Sequence, residues 1–303
     1  MQKSRNFSGI VTMLCAVSLL SLMDAGLKEL SAYYPPFQVA TLRGAASWPL
    51  AVIWIAGSGG FGSLLRVRWA LHLFRGVLGV GMLATFIYAL RYLPLTTAYT
   101  IFFVAPLMIT ALSVPLLGEH VGPRRWTAIG IGFAGVLVAL RPTGEGMLTW
   151  AGFAVLAAAS GYAISAITVR VLARTDSTQS MVFWLLTLMT LGSAALAAPG
   201  WVSIQAQHWK LIAAMGVVGV LGQYAITRAF AQAEASVIAP LEYTALAWGL
   251  GFDALLWGVL PDRITWLGAA IIIASGLYLI RHEREDGGQQ PSASAAEGGS
   301  TPI

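Results

Sequence analysis

Two carboxylates, Glu242 and Asp253, interrupt the apolar run "IAPLEYTALAWGLGFDALLWGVL". An acid in such a place can accept hydrogen bonds, pair with a cation or carry a proton. If the run is helical, their spacing puts them within about 20° of one face and about 16 Å apart along the axis. At the centre of a bilayer each would cost about 2.5–3.5 kcal/mol on insertion scales, so that face must look toward protein or a wet cavity. Ala245, Leu246 and Gly249 lie between the acids and leave room there for a neighbouring helix or a ligand. A third acid, Asp24, sits in the first apolar run, one helical turn before Lys28.

The elements that must position these groups are membrane helices. The 303 residues are 57% hydrophobic and only 10% charged, with a mean hydropathy of +0.73. A soluble domain averages about 25% charged residues. So few charges cannot cover a soluble globule of this size. The predicted fold is an all-α integral membrane protein of ten transmembrane helices. They are placed near 7–30, 36–56, 72–92, 95–117, 125–141, 148–171, 179–198, 209–231, 235–259 and 264–281. The first segment reads as a retained helix rather than a cleaved signal peptide.

With the N-terminus taken as cytoplasmic, the inner side receives Lys3, Arg5, Arg66, Arg68, Arg75, Arg124, Arg125, Arg170, Arg174, Arg228, Arg281 and Arg284. The outer side receives Lys28, Arg91, Arg141, Lys210 and Arg263. That bias follows the positive-inside rule, with both termini cytoplasmic in the cell inner membrane. The net charge of +5 is punctuation between apolar runs rather than a basic face, so nucleic acid is not an expected partner. The tail 282–303 is charged and then Gly/Ser/Ala-rich, and is expected to be disordered in the cytoplasm.

Shifted by 140 positions, the sequence meets itself. Trp69 falls on Trp209, "GVLGV" on "GVVGV", Gly118 on Gly258 and Trp126 on Trp266. Two halves follow, 7–141 and 148–281, each of five helices. Five is odd, so the second half enters the membrane inverted relative to the first. Inverted repeats are a recurring build of secondary transporters, with the site where the halves meet near the midplane.

Hairpin depth proposes partners. Arg228 and Glu242 flank the short turn near Glu234 at similar distances, which predicts an ion pair. Asp24 and Arg43 flank the turn near Tyr34 in the same way. Such pairs serve either to cancel buried charge or to line a cavity. Beyond Asp24 and Glu242, Tyr88 and Phe102 are lining candidates because they occupy the first-half places of Arg228 and Glu242. Gln223 and Thr227 share a helix face, and Ser165 lies in a small polar stripe with Gly161 and Thr168. Tyr99, Tyr162, Tyr243 and Trp248 offer aromatic walls. Such a lining suits an amphipathic, zwitterionic or ring-bearing metabolite.

Other motifs are bland in this setting. "GIGFAG" fits GxGxxG, but it sits in mid-membrane without the strand that a dinucleotide site needs. It reads as a close-packing surface, and a homodimer through the fifth and tenth segments is one expectation beside a monomer. "GSGGFGSLL" lacks the GK[ST] of a P-loop. His72, His120, His208 and His282 show no metal spacing, and no cofactor or metal is expected. The lone Cys15 excludes an intrachain disulfide and reads as a small core residue.

The chain resembles the drug/metabolite transporter superfamily, specifically its ten-helix EamA-type permeases. The resemblance rests on "LRGAASWPL", on "YALRYLPLTTAYTIFFVAPLMITALSVPLLGEHVGPRRWTAIGIGFAGVLVALRP", on "RAFAQAEASVIAPLEYTALAW" and on "PDRITWLGAAIIIASGLYLIRHE". It implies two tandem EamA units, a central cavity and transport of small metabolites. One departure is Gly258-Val259, where Gly-Glu is frequent and where the first half has Gly118-Glu119. Export is the default reading of the resemblance, with import of a nucleoside- or flavin-like compound as the alternative. A membrane-embedded enzyme and a channel are the rival classes. The first would need a catalytic cluster and the second a continuous polar lining, and the sequence offers neither.

Overall fold

The structure is a computed structural model describing residues 2–57, 61–119, 121–140 and 149–258, with single positions between 263 and 278. The tail 282–303 and most of the tenth segment lie outside the described residues. Among the described residues every regular element is helical. The first half contains α1 (Gln2–Ser31), α2 (Pro36–Gly57), the short α3 (Phe61–Leu65), α4 (Trp69–Tyr92), α5 (Leu95–Phe102), α6 (Val104–Leu117) and α7 (Pro123–Leu140). The second contains α8 (Trp150–Leu172), α9 (Thr178–Ala197), α10 (Trp209–Gln232), α11 (Ala235–Ile238), a 3-10 stretch Ala239–Thr244, and α12 (Ala245–Trp257). Seven helical runs are long and apolar enough to cross a membrane, and Trp126–Gly135 within α7 is a shorter apolar helix.

Two expected spans are broken, and proline explains where. Pro106 has no N–H, and its ring clashes with the Phe102 carbonyl one turn back; α5 ends at Phe102. Pro240 opens the 3-10 stretch between α11 and α12. Both broken runs end on a left-handed glycine, Gly118 (φ 69°) and Gly258 (φ 67°), a conformation that costs any other L-residue strain. The boundaries recur at the 140-residue offset. Leu95 to Leu117 matches Ala235 to Trp257, and Trp69–Tyr92 matches Trp209–Gln232.

The halves interdigitate. α1 packs chiefly on α10, α4 on α8, and α2 on α9, with α2–α10 and α4–α9 contacts completing the pattern. Small residues permit the close approach. A Cβ on Gly216 of α10 would lie 2.6 Å from the Ala46 carbonyl oxygen of α2, and Ser47 Oγ donates to the Gly216 carbonyl at 3.0 Å. Backbone cannot swing aside as a side chain can. Gly216→Ala is therefore expected to destabilise the protein by about 1–3 kcal/mol, measured as a lowered thermal midpoint in detergent. An unchanged midpoint would show that α2 and α10 can separate at no cost.

Two clasps tie loops to helix starts across the halves. Tyr34 Oη lies 2.7 Å from His208 Nδ1 and accepts from the Gln205 N–H, while Gln38 bonds both backbone groups of Val202. His72 Nε2 lies 2.8 Å from Asp176 Oδ2, which also accepts from the Arg68 N–H. Burial pushes the Asp176 carboxyl up, but the Thr175 hydroxyl, the His72 ring and the Arg68 N–H outweigh it and hold it below the usual carboxylate range.

Two expectations need correction. Arg75, assigned above to the inner flank, is buried within α4. Cys15 is exposed rather than in the core. The "GIGFAG" segment packs closely as expected, Gly132 receiving the Tyr243 ring, and just before it Ser275 Oγ donates to the Ala128 carbonyl at 2.6 Å.

Candidate functional site

α1, α2, α4, α5, α8, α9, α10 and the 3-10 stretch enclose a cavity of about 180 Å³. Its polar groups gather around two acids. Asp24, on α1, accepts a hydrogen bond from the Tyr99 hydroxyl of α5 at 3.0 Å. Glu242, in the 3-10 stretch, accepts one from the Tyr162 hydroxyl of α8 at 2.8 Å. Glu242 is buried and Asp24 is half-buried, and both line the cavity, as the cost of a lipid-exposed carboxylate demands. The two tyrosines are joined by an aromatic wall. Tyr99 stacks on Phe86 at 6.5 Å, Phe86 meets Phe102 edge-on at 5.5 Å, and Phe102 meets Tyr162 at 5.3 Å.

Two arginines balance the acids. Arg75 donates from Nε to Ser165 Oγ (3.2 Å) and from a terminal nitrogen to the Met181 carbonyl (3.3 Å). Arg43, on α2, donates from Nε to the Met23 sulfur at 2.9 Å. Gln223 donates to Thr227 Oγ1 at 3.3 Å, one turn apart on α10. Of the sequence candidates, Asp24, Tyr99, Phe102, Tyr162, Ser165, Gln223, Thr227 and Glu242 all line the cavity. Three do not. Tyr88 is exposed and packs on Tyr92. Trp248 is exposed and stacks on Phe252. Tyr243 is buried behind the wall, its ring edge-on to Phe103 at 5.2 Å.

The predicted Arg228–Glu242 pair does not form. Arg228 is exposed and bonds the Tyr224 hydroxyl on its own helix. A 3-10 helix turns every three residues and rises about 2.0 Å per residue, so depth counted on an α-helix misplaces Glu242. Asp24 and Arg43 do line the same cavity. Lys28, however, turns away from Asp24, donating to the Leu93 carbonyl at 2.8 Å and lying over the Trp257 ring. Asp253 faces α5 rather than the cavity, accepting from the Thr96 N–H at 3.1 Å and from the Thr96 hydroxyl. Gly249, expected to make room, makes it for the Tyr99 ring.

Arg75 is the lining residue that sequence reading missed. The helix begins at Trp69, so Arg75 is two turns inside it rather than at its mouth. Phe86, Phe103 and Phe230 also line the cavity, and nothing in sequence separates them from lipid-facing phenylalanines. The arrangement is one that holds a small molecule. Among the described residues no group of His, Cys, Asp and Glu could hold a metal ion.

Comparison with known proteins agrees in fold and in family. The sequence model of the EamA-like transporter family matches residues 7–141 and 149–281. The pseudopaline exporter CntI of Pseudomonas aeruginosa is 27% identical over 278 residues, 91% of this chain and 97% of its own. A riboflavin transporter of Vibrio cholerae is 33% identical over 223 residues, 73% of this chain and 74% of its own. An S-adenosylmethionine uptake transporter of Rickettsia bellii is 28% identical over 272 residues, covering 88% and 93%. A crystal structure 20% identical in sequence superposes with a TM-score of 0.76 over 94% of this chain and 99% of its own, which is a likeness of fold. These relatives are transporters rather than enzymes. With both halves matched, the chain belongs to the EamA-like transporter family of the drug/metabolite transporter superfamily and is a multi-pass protein of the bacterial inner membrane.

Proposed function

We propose that this protein is a secondary transporter for an amphipathic, ring-bearing metabolite with amino-acid-like charges. It works by alternating access between two inverted five-helix halves, with both termini cytoplasmic. The observation that carries the reading is the cavity itself, which joins two acids, Asp24 and Glu242, and two buried arginines along one aromatic wall. Charges of both signs suit a zwitterion, and the wall suits a ring. Helix boundaries that recur at a 140-residue offset support the repeat. Two near-equivalent halves facing opposite ways give two near-equivalent states, each open to one side.

Export is the preferred direction. It is supported by the exporter that aligns along 97% of its own length. Uptake is the second reading, supported by the relatives named for S-adenosylmethionine uptake. In proteoliposomes the wild-type protein is expected to show saturable counterflow of a zwitterionic aromatic compound, selected by thermal shift from S-adenosylmethionine, riboflavin and aromatic amino acids. Flux that rises linearly with concentration and gains nothing from substrate on the far side would mean a channel.

A further inference from the structure

Arg43 is the cavity group whose chemistry is least satisfied. It is 5% exposed, and a guanidinium carries five N–H donors and is never neutral in a protein. Among the described residues its one hydrogen bond runs from Nε to the Met23 sulfur, a weak acceptor. Among the same residues no oxygen accepts from its two terminal nitrogens. Arg75 is the internal contrast, with both Ser165 and Met181 supplying oxygens. Asp24 lies near enough for its charge to act on Arg43, yet its carboxylate is engaged by Tyr99 and the two form no ion pair. A buried cation left without acceptors is costly unless something in the cavity completes it.

We infer that Arg43 is the receptor for a carboxylate on the transported metabolite, an assignment that rests on the transport reading above. The fork of a guanidinium matches the two oxygens of a carboxylate, giving parallel charge-assisted hydrogen bonds. Asp24 sets the charge limit. A singly charged group on Arg43 leaves this pole near neutral, whereas a doubly charged phosphate would meet the repulsion of the neighbouring carboxylate. The ligand's cationic end is then left to Glu242, at the other end of the aromatic wall. The substrate lies lengthwise, its ring against Phe86 and Phe102 and its carboxylate at α2.

Phenylglyoxal labelling of the purified wild-type protein, read by peptide mass spectrometry, tests the assignment without knowing the substrate. Arg43 should be labelled, and more readily than Arg75. Benzoate at two-thirds occupancy should slow its labelling about threefold, while benzamide, the uncharged counterpart, should leave it unchanged. An unlabelled Arg43, equal effects of benzoate and benzamide, or stronger protection by inorganic phosphate than by benzoate would each overturn the assignment. The readout is independent of flux. Saturable counterflow with failed protection would remove Arg43 alone, and protection without counterflow would remove the transport reading.

Discussion

Glu242→Gln is expected to lower the initial rate of counterflow by at least about tenfold, the cost of removing the charge from one buried charged contact. The amide keeps an oxygen that can accept from Tyr162, so the 2.8 Å hydrogen bond and the local fold have a substitute. Thermal stability should change by less than about 1 kcal/mol. Tyr162→Phe separates the two roles further, since it leaves the carboxylate in place and removes only its donor. Its effect on transport should be smaller than that of the glutamine variant. Equal transport by wild type and the Glu242→Gln protein, at equal protein level, would reduce Glu242 to a structural group.

Asp253→Ala is expected to act on stability instead. Asp253 is 2% exposed and is the acceptor that α12 offers to the first turn of α5 through Thr96. An acid at a helix N-terminus also meets the positive end of the backbone dipole. Its removal takes a buried charged acceptor from two donors and from the field around Lys28. The loss should be about 3 kcal/mol, seen as a lower midpoint of thermal unfolding. Asp253→Asn retains an acceptor and should recover much of it. A full loss of counterflow at an unchanged midpoint would mean that Asp253 meets substrate, against its placement outside the cavity.

Most of the architecture was legible because membrane helices are written in composition and length. The expected 36–56 and 209–231 segments match α2 and α10 within a residue or two. The cavity was legible in part because a charge inside lipid has few tolerable places, which pointed to Asp24 and Glu242. The failures share a physical origin. Hairpin counting assumes regular helices, and Glu242 sits where Pro240 has tightened the helix to three residues per turn. Arg75 was counted as a charge on the inner flank because its helix begins earlier than the apolar run does. Tyr88 and Tyr99 have the same side chain, and only packing distinguishes a tyrosine on the outer surface from one in the cavity.

The interdigitation of the halves bears on how the protein is made. The chief packing partner of α1 is α10 and that of α4 is α8, both synthesised much later. A nascent first half leaving the ribosome would therefore hold Arg75 without the Ser165 and Met181 oxygens that receive it until the remaining chain arrives. Gene fragments encoding each half should yield little alone and recover only when produced together, although each looks like a self-sufficient unit on paper.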